Sequence, residues 1–407
     1  MATSKQKLHA FHWRGLTSKG SKVKGQILAF NEQEARIALA EQRVQVSKIK
    51  RRSPSAIVQR RNAATAKDIT LFSRQISTML EAGVPLGETL QLLKAGAKKA
   101  EMKLIISNIY RHVEAGASLA IAMKNSSPLF DQFYCDLVST GEQTGRLEQI
   151  FARISVYREK EEATRAKVVK AMIYPSIVMF LVLAVTIGML LFVIPTFKDV
   201  FASFNAELPW FTLKVLGLSE FVQHYGLYTA LAFVIASLLF RAYYKRSTAF
   251  RLKVSRFSLH IPIVGGVLTK ATLARFTRTL ATTFSAGIPL LNGLAAAGKT
   301  ANNLHYQKVI ETVYQQTSGG RPLHRSIKET GQFPDMMTQM VMIGEESGSL
   351  DDMLNKVAGI YEDEVDNTVD NLGKILEPLI IIVLGVLIGS LVVAMYLPMF
   401  NLISVLG

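Results

Sequence analysis

The stretch GLAAAGKT at residues 293–300 matches G-x-x-x-x-G-K-[ST], the pattern of a loop that binds nucleotide phosphates. In such a loop the backbone N–H groups surround the phosphates, and the lysine, here Lys299, contacts them. The loop has to follow a buried β-strand and lead into a helix. Here Leu290, Leu294 and Ala297 instead continue a helical apolar face. We therefore expect the end of a helix with a glycine bend and Lys299 in solvent; the alternative is a membrane ATPase that uses Lys299.

A few other ionisable residues have a chemistry to consider. Glu142 and Glu345 stand at equivalent bends, where we expect hydrogen bonds to helix ends, with a weak cation site as the alternative. His9 and His12 are close in sequence but have too few further ligand candidates nearby for a metal site. Glu377 lies at a predicted membrane edge and is a functional candidate, although interfacial snorkelling also explains it. The sequence predicts no catalytic residue, no cofactor and no metal.

Three acids recur along one predicted helix face at Glu362, Asp366 and Asp370. Residues four apart on a helix are neighbours, so these like charges repel one another. We expect this acidic face to meet a basic surface, on a partner protein or on the first half of the chain. The basic candidates in the first half are Arg165, Lys167 and Lys170. A merely solvated face is the alternative.

The composition limits the class of protein. The chain has 407 residues, is 49% hydrophobic and carries a net charge of +16. Its single cysteine, Cys135, excludes an intramolecular disulfide. The first residues are basic and polar, and no apolar signal-peptide core follows them. Because the basic residues flank apolar segments and accompany no aromatic recognition motif, we attribute them to contact with anionic lipid and expect no nucleic acid partner.

Three segments are apolar enough to cross a membrane: 171–197, 221–240 and 377–400. Residues 1–54 carry 12 Lys and Arg against 3 Asp and Glu, whereas 198–220 carry 2 against 3. The segment 241–257, which follows the second span, has six basic residues and no acid. The positive-inside rule therefore predicts a cytoplasmic N-terminus, an outer loop at 198–220, a return to the cytoplasm after 240 and an outer C-terminus.

The chain is internally duplicated. FSRQISTMLEAGVPLGETL (72–90) returns as FTRTLATTFSAGIPLLNGL (276–294), and GEQTGRLEQIF (141–151) returns as GEESGSLDDML (344–354). Apolar residues in both copies recur at spacings of three and four, which predicts helices separated by tight bends. The predicted bend residues are Gly83, Pro85, Gly141, Glu142 and Gly145, with their counterparts Gly287, Pro289, Gly344, Glu345 and Gly348.

These patterns predict a mainly α integral membrane protein with a small N-terminal α/β domain, in which a helix starts at Asn31 and Glu34 completes a capping-box-like pair. Two duplicated cytoplasmic bundles of about six helices each accompany three transmembrane helices. A basic linker is expected at 48–67. The predicted domains are 1–53 (α/β), 54–170 (bundle 1), 171–197 (transmembrane), 198–220 (periplasmic loop), 221–240 (transmembrane), 241–376 (bundle 2), 377–400 (transmembrane) and 401–407 (periplasmic tail).

The chain resembles the PilC/GspF family of inner-membrane platform proteins. The resemblance rests on the duplicated F-x-R…AG-[VI]-PL and GE-[EQ]-[ST]-G-x-L elements, on the YP and EP membrane entries and on AELP at 206–209. The N-terminal FHWRG and the late AMYLPMF favour the type IV pilus branch over the type II secretion branch, which remains the alternative.

The resemblance implies a bacterial inner-membrane, multi-pass protein that forms homo-oligomers and is not an enzyme. It implies contact with hexameric pilus assembly and retraction ATPases, with major and minor pilins, with inner-membrane alignment proteins and with membrane lipid. A channel or carrier is a further alternative. Against it, the centres of the three spans carry no charge that would form a polar pathway.

Overall fold

The structure, a computed structural model, describes residues 8–17, 21–41, 43–53, 55–197, 209–262 and 264–406. Of the AELP motif, residues 206–208 lie outside these ranges. The described residues form two compact units. The first contains the described residues within 1–163, 275–300 and 309–358, and the second contains those within 164–274, 301–308 and 359–406.

A three-stranded antiparallel sheet opens the first unit. Its strands are β1 (His9–Thr17), β2 (Lys22–Ala29) and β3 (Val44–Arg52), in the order β2-β1-β3. Helix α1 (Glu32–Glu41) covers one face, where Phe11, Ala29 and Ala35 form a small core. Asn31 caps α1 as predicted, because the Glu34 amide donates to Asn31 Oδ1 (2.8 Å). The Glu34 carboxylate accepts from the Phe30 amide (3.2 Å), one residue before the Asn31 amide that a complete capping box would use.

Within the described ranges, each copy of the duplication supplies six helices, as predicted. The first copy contains α3 (Ala66–Glu81), α4 (Leu86–Gly96), α5 (Ala100–Glu114), α6 (Leu119–Ser126), α7 (Gln132–Thr144) and the start of α8 (Leu147–Gly188). The second contains α11 (Val264–Ser285), α12 (Leu290–Thr300), α13 (Leu304–Ser318), α14 (Leu323–Glu329), α15 (Asp335–Ser347) and the start of α16 (Leu350–Leu406).

The predicted linker at 48–67 is wrong in part. It contains the end of β3 and a short helix, α2 (Ala56–Asn62), and α3 already begins at Ala66. The side chain of Ser55 accepts a hydrogen bond from the Val58 amide and so caps α2. This segment is therefore largely ordered secondary structure.

One apolar core runs through the first unit. Its fully buried members include Ile69, Phe72, Ile105 and Phe151, which come from three helices of the first bundle. Burying one such side chain stabilises the fold by about 1.5–3 kcal/mol. Ile288 and Ala296 of the second copy, and Leu8 and Phe30 beside the sheet, belong to the same core. The two bundles and the sheet therefore share one packed interior in this unit.

Three helices among the described residues are long and apolar enough to cross a membrane: Leu147–Phe197, α9 (Trp210–Arg246) and Leu350–Leu397 within α16. α9 begins at Trp210, well before the span predicted to start at 221, so residues 210–220 of the predicted outer loop are helical. The helical backbone of α16 also continues through most of the predicted 401–407 tail. A short helix, α10 (Thr248–Ser258), follows α9.

The three apolar helices meet at one place in the second unit. Helix α8 passes at Gly188 into a π-helical turn at Met189–Val193, whose Leu190 carbonyl accepts a hydrogen bond from Ser219 Oγ. Thr212 Oγ1 donates to the Ala394 carbonyl (2.9 Å), so α9 is bonded to both other helices. Leu190, Ile194 and Leu391 form the apolar contact around these bonds. A π-turn leaves carbonyls without their usual helical partners, and here a serine hydroxyl binds one of them.

Candidate functional site

The stretch GLAAAGKT lies in α12, which is helical from Leu290 to Thr300 without a glycine bend. The predicted bend inside it is therefore wrong, while Lys299 is exposed as expected. An added Cβ on Gly293 would lie 2.6 Å from Thr283 Oγ1, and one on Gly298 would lie 3.3 Å from Ile310 Cγ2. Both glycines thus let α12 approach a neighbouring helix.

The alanines of the same stretch have a packing role as well. Ala296 and Ala297 are buried, and Ala296 belongs to the core shared with the first bundle. Helix α12 packs against α7 of that bundle. Small side chains allow this close approach between helices. The sequence that matches a phosphate loop is therefore a helix that joins the two copies.

Glycines at equivalent bends adopt the same conformation in both copies. Gly83 and Gly287 have φ of 81° and 83°, and Gly145 and Gly348 have φ of 69° and 72°. This left-handed region favours glycine after a helix. Pro85 was predicted in the first turn of the next helix and instead occupies the N-cap of α4, one position before that turn.

Another matched pair was not predicted from the sequence: Gly116 and Gly320, with φ of 85° and 88°. The amide after each donates to a carbonyl five residues back, from Ala117 to His112 (2.9 Å) and from Arg321 to Gln316 (3.2 Å). That bond is characteristic of a Schellman motif. The residues that flank these two glycines differ between the copies, so a comparison of the two halves of the sequence does not reveal the pair.

Gly141 and Gly344 permit a close helix crossing in each copy. A Cβ on Gly141 would lie 2.8 Å from Ile150 Cγ1, and one on Gly344 would lie 2.9 Å from Leu350 Cα. The glycine of each GE element therefore lies against the start of the next helix, α8 or α16. Any larger residue would push that long helix away from its bundle.

The glutamates of the two GE elements bind equivalent helix starts. Glu142 Oε1 accepts from the Leu119 amide (2.9 Å) at the first residue of α6. Glu345 Oε1 accepts from the Leu323 amide (2.6 Å) at the first residue of α14. The first amides of a helix lack helical partners, and a carboxylate there is favoured by the helix dipole. Each glutamate thus fixes the start of a helix 22 or 23 residues away in sequence.

The second copy adds a histidine to this arrangement. Glu345 Oε2 accepts from the His324 amide (2.9 Å) and lies 2.6 Å from His324 Nδ1. The matching position in the first copy is Ala120, so the first bundle lacks this contact. The Glu345 carboxylate therefore lies within hydrogen-bonding distance of three nitrogen atoms, which are two backbone amides and the His324 ring nitrogen. The Glu142 contact described above involves one amide.

The first copy has its own polar network, which was not predicted from the sequence. The buried Tyr134 hydroxyl lies 2.7 Å from Ser73 Oγ, and the Arg158 guanidinium lies 5.7 Å from the Tyr134 ring centre. Burial raises the pKa of Tyr134, so the hydroxyl stays protonated. Arg158 Nη2 also contacts Asp131 Oδ2 (3.2 Å). Met337 stands at the Tyr134 position of the second copy, so the two bundles differ in chemistry.

The acidic helix face lies on α16. Lys167 Nζ of α8 contacts Asp366 Oδ2 at 2.5 Å. The hydrogen bond that Lys167 donates to Asp366, with the negative charges of Asp370 and Asp363 nearby, raises the pKa of Lys167. Beside this pair, Lys270 Nζ contacts Glu364 Oε2 at 3.2 Å. Asp366 of the acidic face thus contacts a basic side chain of α8, whereas Glu364, two residues away and on another side of α16, contacts one of α11.

The remaining predicted residues are placed as follows. Glu362 is half-buried on α16, whereas Asp370, Arg165, Lys170 and Glu377 are exposed. Among the residues that the structure describes, no three His, Cys, Asp or Glu side chains form a group that could hold a metal ion. His9 contacts Arg51 (2.7 Å) and His12 lies on the open face of the sheet.

Comparison with known proteins gives consistent matches along the chain. The family model described as type II secretion system (T2SS), protein F matches twice, at residues 72–195 and 276–398. The N-terminal domain of type II secretion system protein F matches residues 1–50. The double match coincides with the two copies found in the sequence.

Individual relatives carry two kinds of name. The type IV pilus assembly protein TapC of Aeromonas hydrophila is 45% identical over 99% of this chain and 97% of its own length. The type IV pilus assembly protein PilC of Pseudomonas aeruginosa is 44% identical over 84% of this chain and 91% of its own. The type II secretion system protein F of Xanthomonas campestris is 29% identical over 98% of this chain and 97% of its own.

Proposed function

The chain belongs to the type II secretion system protein F family, and from that premise we propose that it is the platform of a type IV pilus machine. The observation that carries the proposal is the 45% identity to a type IV pilus assembly protein over 99% of the chain. The similarity to a type II secretion protein F is 29% over nearly the same length. A secretion platform is therefore the second candidate.

The platform would work mechanically, without chemistry of its own. Helix α8 and its continuation run 51 residues from the first bundle to Phe197, and α16 runs 57 residues from the second bundle to Leu406. At 1.5 Å per residue these helices are about 75 and 85 Å long. A helix that leaves a bundle and enters the membrane without a loop transmits a displacement of that bundle directly. The close crossings at Gly141 and Gly344 support this, because they fix each long helix to its bundle.

The partners in this proposal are the hexameric assembly and retraction ATPases, which would supply the energy. Pilins would pass between membrane and fibre beside the three spans, and alignment proteins would hold the platform in place. Both bundles would face the cytoplasm in the bacterial inner membrane, which is supported by the basic residues around the first and second spans. Oligomerisation would multiply the pseudo-equivalent surfaces of the two bundles.

The proposal assigns no reaction to the chain. The relatives above bear assembly and secretion names, and Lys299 lies exposed on a packed helix. A phosphate loop would need free backbone amides at 293–298, whereas these residues are helical. We therefore propose that nucleotide hydrolysis belongs to the partner.

Deletion of the gene tests the proposal and separates the two candidates. Surface pili are sheared from the deleted strain and quantified, and proteins secreted into the medium are measured in the same culture. We expect the pili to disappear and secretion to continue, with pili restored by the wild-type chain and by Lys299→Ala. Loss of secretion with intact pili would assign the chain to the secretion machine. Failure of Lys299→Ala to restore pili, in a chain that folds, would contradict the non-catalytic role.

A further inference from the structure

The open face of the N-terminal sheet carries a row of three cations that the proposed function does not use. Arg14 on the central strand is paired in register with Lys24 on one side and with Lys48 on the other. All three side chains are exposed. Directly opposed side chains on a sheet face are in contact range, and like charges there are destabilising.

A second row continues the charge two residues along the strands. His12 is paired with Gln26 and with Lys50. Neighbouring strands lie about 4.8 Å apart and paired residues advance about 3.4 Å each, so the cations cover a patch of about 10 by 7 Å. Among the residues that the structure describes, Arg14, Lys24, Lys48 and Lys50 form no salt bridge.

Protection of sheet edges does not explain the patch. Lysines on edge strands discourage pairing with other chains, and β2 and β3 are the edges here. Arg14, however, lies on the central strand, where no edge is exposed, and its guanidinium stands between two lysines. The arrangement concentrates positive charge and leaves it unneutralised.

The patch borders a cleft of about 500 Å³. Its lining includes Arg14, Lys24, Lys48, Lys50 and His12. This volume is in the usual range for small-molecule sites. A stable protein partner would cover about 800 Å² per side, which is far more than a patch of about 10 by 7 Å. Arginine and lysine together are typical of phosphate recognition, with the arginine binding two oxygens at once.

We propose that this face binds a ligand with two or more clustered phosphates, either a soluble oligophosphate compound or the headgroup of a diphosphate lipid. The ligand would supply the negative charge that the described part of the sheet lacks. This inference is independent of the pilus platform role. Binding is expected to weaken as salt rises, because the attraction is between exposed charges.

The test uses the full chain in phosphatidylcholine nanodiscs, with inorganic tripolyphosphate as the probe and isothermal titration calorimetry as the measurement. The face variant is Arg14→Gln with Lys48→Gln. The matched control is Arg60→Gln with Arg61→Gln, which removes the same charge from the exposed surface of α2. We expect the face variant to bind at least tenfold more weakly than the wild type, and the control to change less than twofold. Thermal unfolding of both variants checks the fold, and the face variant is expected to be no less stable because repulsion is removed.

A second arm distinguishes the two sources of phosphate. Nanodiscs containing cardiolipin, whose headgroup has two phosphates, are compared with discs given the same surface charge by phosphatidylglycerol, so that general repulsion of the probe is matched. Weaker tripolyphosphate binding in cardiolipin discs assigns the site to a lipid headgroup, and unchanged binding assigns it to a soluble compound. Absence of tripolyphosphate binding to the wild type, equal binding by the face variant, or equal loss in both variants would overturn the proposal.

Discussion

Replacing Gly293 with alanine separates the helix-packing and phosphate-loop interpretations of GLAAAGKT. The new Cβ would lie 2.6 Å from Thr283 Oγ1 and 3.2 Å from Leu280 Cδ1. Neither neighbour is the free end of a long side chain: Thr283 is buried, and its hydroxyl donates to the carbonyls of Thr279 and Leu280. The substitution therefore forces α12 away from α11.

The magnitude follows from two opposing effects. Inserting a methyl group into a packed core costs about 1–3 kcal/mol. Replacing glycine with alanine inside a helix contributes about 1 kcal/mol of stability. At Gly359, also inside a helix, no atom lies within 4 Å of an added Cβ, so only the second effect applies. The two alanine substitutions are thus expected to differ by about 1–3 kcal/mol, with Gly359→Ala the more stable.

Thermal unfolding of the purified chain in one detergent measures this difference. At about 2 °C per kcal/mol for a chain of this size, Gly359→Ala should melt about 2–6 °C above Gly293→Ala. The double variant with Thr283→Ala added to Gly293→Ala should recover part of the lost stability. The added change removes the clashing oxygen and leaves no backbone amide without its hydrogen-bond partner. Equal melting temperatures for the two glycine variants would refute the packing interpretation. Nucleotide binding by the wild-type chain that is lost in Lys299→Ala would refute it as well.

Three further substitutions or treatments test other contacts. Glu345→Gln should lower stability by about 0.5–2 kcal/mol, and more than Glu142→Gln, because Glu345 binds two helix-start amides where Glu142 binds one; equal melting temperatures would contradict this. Asp366→Lys should place two lysines in contact and impair folding or assembly, and adding Lys167→Asp should restore the folded, assembled chain. Yield and the size-exclusion profile measure both effects. An unaffected single variant would argue for a solvated face. Burial raises the pKa of the Cys135 thiol to about 12, so a maleimide at pH 7–9 should label it only after denaturation; rapid labelling of the folded chain would count against the buried position.

Periodicity and turn chemistry were sufficient to predict the helical bundles, the helix cap at Asn31 and the three apolar helices. The signals are local, because they depend on neighbouring turns of one helix or on a few flanking residues. The start of α9 was missed because Lys214 and Glu220 interrupt the apolar run, although Pro209 immediately before Trp210 marks a helix start. A hydropathy criterion finds the membrane-crossing part of a helix and cannot find its polar extension.

Contacts between distant residues were not predictable in the same way. The partners of Glu142 and Glu345 lie more than 20 residues away, so spacing alone does not identify them. The π-turn at Met189–Val193 has no distinctive sequence, since its residues resemble the rest of the apolar helix. Gly293 and Gly298 matched a known motif, and only the neighbouring helices explain why glycine is present.

The side of the membrane on which each bundle lies can be measured directly with single cysteines in a Cys135→Ala background. Three exposed lysines serve as positions: Lys98 in the first bundle, Lys328 in the second and Lys214 near the start of α9. A membrane-impermeant maleimide is applied to spheroplasts and, separately, to lysed cells. The duplicated-platform account predicts labelling of Lys214→Cys in intact spheroplasts, and of Lys98→Cys and Lys328→Cys only after lysis. Labelling of the two bundles from opposite sides of the membrane would contradict it.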